Sequence, residues 1–167
     1  MKKNIRKNLK NLSILLLSVM LITSCSNQIH HDKINQAKNK KMFITILTKH
    51  LKAVTNRDLE SLLSTMSPTG EMQLIVPQTE VLTSVDAFMN YHKEWFAAPN
   101  WTFETKILNT KVFDDFGMAI VEIIYREPQR NGVPYFNRMI VSYDLEKIDN
   151  NWYIIKDHAS SVQKSTD

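Results

Sequence analysis

The chain has 167 residues with one cysteine, three glycines, 23% charged residues and a formal net charge of +4. This length suits one domain with its own core. A single cysteine excludes a disulfide framework and a cysteine-based zinc site, and glycines at 70, 117 and 132 are too dispersed for a phosphate-binding loop.

The positive charge is local. Lys2, Lys3, Arg6, Lys7 and Lys10 stand in the first ten residues, whereas 16 basic and 17 acidic residues follow from position 25. The body is therefore nearly neutral and offers no phosphate-tracking surface, so nucleic acid is not an expected partner. The basic head leads into the apolar run 12–22, which is shorter than the roughly 20 residues that span a bilayer and has the form of a secretory signal. Leu21-Ile22-Thr23-Ser24-Cys25 resembles the lipobox of bacterial lipoproteins. That resemblance implies a signal peptide over residues 1–24, acylation of Cys25 and anchorage to membrane lipid in the cell envelope. Ser26 and Asn27 form no aspartate retention signal, which by the same resemblance favours the outer membrane in a Gram-negative cell.

Residues 25–36 are polar and read as a flexible tether. The adjacent His30 and His31 within it are given no metal role, because paired histidines in a polar linker are usually solvated. From about residue 37, Phe43, Leu47, Leu51 and Val54 mark a helical face. Asp58 is placed to cap a second, shorter helix with the stripe Leu59, Leu62, Leu63 and Met66, ended by Ser67-Pro68-Thr69-Gly70. Met72, Leu74 and Val76 alternate with polar residues and, with Glu80–Thr83, predict a short edge hairpin. Ser84 then caps a third helix whose Val85, Phe88, Met89, His92, Trp95 and Phe96 share a face.

After Pro99-Asn100 the period changes to that of strands at about 101–113, 117–127, 135–148 and 152–161, with turns at 114–117, 128–134 and 149–151. Helices early and strands late predict an α+β domain over residues 37–161, with an antiparallel meander covered on one face by three helices and a tail at 162–167.

This order resembles the nuclear-transport-factor-2-like superfamily. The stretch 53–63 is similar to its first helical corner, and His92-Lys-Glu-Trp-Phe96, Trp101-Thr-Phe103 and 152–160 are similar to its SnoaL-like members. The resemblance implies a curved antiparallel sheet and helices forming a cone around a pocket, and a homodimer through the exposed sheet face, where Tyr143, Leu145 and Tyr153 are candidates.

Strict alternation puts Trp152, Ile154, Lys156, His158 and Ser160 on one face of the last strand and Asp157 on the other. The first face matches the one that looks into the cone in the resembling families, and Arg138 stands where the family often has a pocket arginine. The expected lining is His92, Trp95, Tyr125, Arg138, His158 and Ser160. Two functions follow. One is a lipid-anchored, non-catalytic domain that binds a small polar or anionic molecule, through Arg138 and His158, or an envelope partner. The other is a ketosteroid-isomerase or polyketide-cyclase type of enzyme, with His158 or His92 as base and Tyr125 or Arg138 as electrophile. Alternation places no aspartate in the pocket, which weighs against catalysis, and neither a cofactor nor a metal is expected.

Overall fold

A computed structural model describes residues 33–98 and 100–165. The signal segment, the lipobox, Cys25, His30 and His31 lie outside the described residues. The chain divides into two units, one ending at Lys38 and the other running from Asn39 to Asp167. In the first unit, residues 33–38 are described and are helical. Residues 33–36, assigned to the tether by their polarity, are thus already helical; they are exposed, and Lys, Asn and Gln tolerate a solvated helix without any apolar face.

The second unit opens with the rest of α1, which runs over 33–56. Phe43, Leu47, His50, Leu51 and Val54 are buried along its inner stripe, so the expected face gains a histidine. Its end is a Schellman turn: Arg57 takes a left-handed φ of 56°, its N–H donates to the Val54 carbonyl, and the Asp58 N–H donates to that of Ala53. Asp58 then caps α2 (Leu59–Leu63) by accepting from the Ser61 N–H at 2.9 Å. The helix is so short that Leu62 is buried while Leu63 is left exposed, against the expected four-residue stripe.

β1 (Glu71–Ile75) and β2 (Leu82–Ser84) form the predicted edge hairpin. Ser84 caps α3 (Val85–Ala97), accepting from the Ala87 N–H. Four long strands follow: β3 (Thr102–Val112), β4 (Phe116–Arg130), β5 (Val133–Ile148) and β6 (Asn151–Lys164). Asn131-Gly132 and Asp149-Asn150 make two-residue turns with positive φ throughout, the geometry that matches strand twist. Short turns lengthen the strands beyond the expected limits. β4 starts one residue before the expected 117 and runs on to Arg130, and residues 162–164, read as tail, continue β6.

The curved, open sheet has the order β2-β1-β6-β5-β4-β3. All its pairs are antiparallel except β1 with β6, which is parallel, so the sheet is mixed. The core lies between the helices and the inner sheet face, where Phe43 meets Trp152 edge-on at 5.3 Å. Of the three residues expected on an exposed dimerisation face, Tyr143 and Leu145 are buried on this inner side; Tyr153 is half-buried. Among the described residues, no helix is long and apolar enough to cross a membrane.

Candidate functional site

The inner sheet face and α3 enclose a cavity of about 450 Å³ that α1, the β1–β2 hairpin and β3 through β6 complete. This volume suits a small organic ligand. Its wall is largely aromatic and aliphatic. Trp95 of α3 stacks on Trp101 at 4.6 Å with 16° between the ring planes, Phe103 meets Trp95 edge-on, and Ile123, Met139 and Val141 supply aliphatic surface from the sheet.

The decisive feature of the site is a β-bulge. Leu145 of β5 pairs with Ile154 of β6, whereas the adjacent Asp144 pairs with Lys156. One extra residue, Ile155, therefore enters β6 and reverses its alternation. Trp152 and Ile154 face inward before the bulge; Asp157 and Ala159 are buried and Ser161 faces the cavity after it. His158 and Ser160, expected in the lining, are exposed and lie outside the pocket. Asp157, which simple parity places outside, joins Glu127 as a pocket carboxyl.

Arg138 is also removed from the expected lining. It lies outside the cavity and pairs with Glu122 of β4 at 2.9 Å. Parity explains this directly, since the inward residues of β5 are Tyr135, Asn137, Met139, Val141 and Tyr143.

His92, Trp95 and Tyr125 are in the lining as expected. The His92 Nδ1 lies 2.9 Å from the Phe88 carbonyl oxygen. A carbonyl only accepts, so Nδ1 carries the proton and Nε2 presents a lone pair. Burial lowers the His92 pKa to about 4, although the Phe88 hydrogen bond opposes the shift, and the ring is neutral at physiological pH. Tyr125 is less available than its position suggests. Its hydroxyl donates to Glu127 Oε1 at 2.7 Å, and Arg130 binds that same carboxylate while lying 3.4 Å over the Tyr135 ring. Burial and the Glu127 hydrogen bond push the Tyr125 pKa up to about 12, so its proton is already committed and Tyr125 is not a free electrophile.

Asp157 is perturbed in the opposite sense from an ordinary carboxylate. Burial raises its pKa from 3.8 to about 7, opposed by a hydrogen bond from Tyr143. Tyr91, also in the lining, has its pKa raised by burial and then by the negative charge of Asp157. The pocket thus holds a carboxyl that exchanges its proton near neutrality, among phenols that keep theirs. Sequence alternation missed Asp157 because no local signal marked Ile155 as an inserted residue. Among the described residues, no group of three or more His, Cys, Asp or Glu could hold a metal ion.

The family of SnoaL-like domains matches residues 44–164. Solved structures share the fold at low identity. A proposed dehydratase of the NTF2-like family from Streptomyces avermitilis is 16% identical over 76% of this chain and 99% of its own, with a TM-score of 0.65. A ketosteroid isomerase-like protein from Erwinia carotovora atroseptica is 13% identical over 74% and 95%, with a TM-score of 0.63. A type 2 hexachlorocyclohexane dehydrochlorinase is 10% identical over 80% and 91%, with a TM-score of 0.70. No curated protein matches the chain. Residues 44–164 contain both α3 with His92 and the whole of β3 through β6 with Asp157, and on that match the chain belongs to the SnoaL-like domain family.

Proposed function

We propose that the domain is an acid–base enzyme that moves a proton to or from carbon in a small, largely apolar molecule, with Asp157 as the base. The observation that carries this reading is a buried carboxyl facing a mostly apolar cavity with a pKa near 7, which suits both taking and returning a proton at physiological pH. In its ionised form Asp157 accepts a proton from a carbon beside a carbonyl, and the electron pair left behind moves onto the carbonyl oxygen. Protonated Asp157 then returns the proton to carbon, or the enolate collapses with loss of a leaving group. Tyr91, a protonated phenol beside Asp157, is the donor available to the developing oxyanion. A dehydratase, an isomerase-like protein and a dehydrochlorinase stand among the proteins of similar fold, and each name is compatible with such chemistry. Arg138 and His158, the groups expected to hold an anionic ligand, both lie outside the cavity, and the cations that do line it are Lys164 and Arg130, the latter paired with Glu127.

The test is deuterium uptake at the acidic carbon of 2-tetralone in D₂O, followed by NMR. The wild-type protein accelerates uptake over buffer, with a rate that rises through about pH 7, and Asp157→Asn removes about a hundredfold or more of that acceleration. Equal rates for the two proteins would defeat the assignment. A lipid anchor at Cys25 belongs to the same proposal, on the strength of the basic head, apolar run and lipobox. Cys25→Ala then moves the protein from the detergent phase to the aqueous phase.

A further inference from the structure

The same cavity holds two polar atoms that the acid–base reading does not use. Asn137 of β5 is nine-tenths buried, and its side-chain oxygen Oδ1 has no protein hydrogen-bond partner among the described residues. Ser161 of β6 is half-buried, and its own buried Oγ likewise has no protein hydrogen-bond partner among the described residues. Both line the cavity. A buried polar atom left unpaired costs stability, and most buried polar groups in folded proteins are satisfied. Two of them together on one pocket wall point to a ligand group that completes them.

Ser161 keeps the inward alternation of Asp157 and Ala159 and pairs with Met139 of β5. A second bulge follows it, since Arg138 pairs with Gln163 and Val162 is the extra residue. Asn137 and Met139 both face the cavity from β5, which makes Asn137 the diagonal neighbour of Ser161. Diagonal pairs lie roughly 7–8 Å apart at the backbone.

We infer that Asn137 and Ser161 form a hydroxyl-recognition subsite, so that the ligand is an alcohol or phenol with a flat apolar body. The hydroxyl donates to Asn137 Oδ1 and accepts from the Ser161 hydroxyl, matching its one donor and two acceptor sites to both orphans. A carbonyl or ether lacks the proton that Asn137 Oδ1 requires. The apolar body lies against Trp95, Phe103 and Ile123 on the cavity wall. This inference rests on the reading of the cavity as a ligand site, but not on Asp157 acting as its base.

The experiment compares binding of 2-naphthol and 2-methoxynaphthalene, two probes of nearly equal apolar body, by tryptophan fluorescence in wild type, Asn137→Leu, Ser161→Ala and Asp157→Asn. Wild type prefers the naphthol by roughly tenfold or more, the discrimination expected when a site built for a hydroxyl meets an analogue lacking it. Asn137→Leu abolishes the preference, Ser161→Ala reduces it, and Asp157→Asn keeps it. A preference that survives Asn137→Leu, that disappears in Asp157→Asn, or that is absent from wild type overturns the subsite. Loss of deuterium exchange in Asp157→Asn with the naphthol preference intact separates the two proposals. A second readout needs no ligand: Asn137→Leu removes an unpaired buried amide and raises the midpoint of thermal unfolding, whereas a lowered midpoint assigns Asn137 a structural role and overturns the inference.

Discussion

Tyr143 and Asp157 are directly paired across the β5–β6 ladder, and each sets the proton affinity of the other. Burial is the largest influence on both. It raises the Tyr143 pKa well above its ordinary value, and the neighbouring carboxylate adds to the rise. The Tyr143 hydrogen bond in turn holds Asp157 below the value that burial alone would give it. The pair is an acidic oxygen that titrates near neutrality beside a phenol that does not titrate there.

A pH dependence of stability follows from Asp157. Its ordinary pKa is 3.8 and its folded value is about 7, so between these limits the folded state holds a proton that the unfolded state has released. Stability therefore falls as pH rises from about 4 to 7 and remains reduced above. Asp157→Asn stabilises the protein by on the order of 1–3 kcal/mol at pH 8 and by much less at pH 4. Urea unfolding midpoints of the two proteins at those pH values check the prediction.

The buried histidines act with the opposite sign. Desolvation lowers the pKa of His50 to about 3 and that of His92 to about 4, from 6.5. Below about pH 6.5 the unfolded chain binds protons that the folded rings refuse, and stability drops toward pH 4. In an Asp157→Asn background, where the opposing slope is gone, His92→Phe makes the midpoint less sensitive to pH between 6.5 and 4.5. An unchanged slope would mean that His92 is protonated in the folded protein.

Gly117 is required by an aromatic ring. A Cβ at this position would stand 2.5 and 2.8 Å from two ring carbons of Phe43, and Phe43 is fully buried against Trp152. Gly117→Ala destabilises by roughly 1–3 kcal/mol, the usual cost of overpacking. The double variant Gly117→Ala with Phe43→Leu loses less than the sum of the two single changes. Thermal denaturation of the four proteins gives the coupling energy, and strict additivity would refute the clash.

Asn39 ties α1 to the far end of the sheet. Its amide nitrogen donates to the Phe113 and Asp114 carbonyls at 2.7 and 3.1 Å, and its oxygen accepts from the Trp152 indole at 3.2 Å. Asn39→Ala orphans all three groups and destabilises by about 2–4 kcal/mol. The β3–β4 turn then exchanges its amide hydrogens faster than the rest of the sheet, which hydrogen-exchange mass spectrometry resolves.

The element order was legible in the sequence because its signals are local. Apolar spacing marked the helical face of Phe43, Leu47, Leu51 and Val54, side-chain oxygens at Asp58 and Ser84 marked two helix starts, and period-two alternation with Asn-Gly and Asp-Asn turns marked the long strands. His92, Trp95 and Tyr125 were legible as pocket residues for the same reason, since each continues an unbroken periodicity. The rest of the site was decided by pairing between strands. Strand parity carries no memory of a bulge, so one inserted residue at Ile155 exchanged Asp157 for His158 on the inner face. Arg138 was misplaced for a simpler reason, since the inward residues of its strand are the odd-numbered Tyr135, Asn137 and Met139, and it meets Glu122 on the outer face. The sequence alone determined which elements form and where they begin. Only tertiary structure decided which ionisable groups share the cavity, because an inserted residue shows itself only when two strands are aligned and because a carboxyl acquires a pKa near 7 only when other elements exclude water from it.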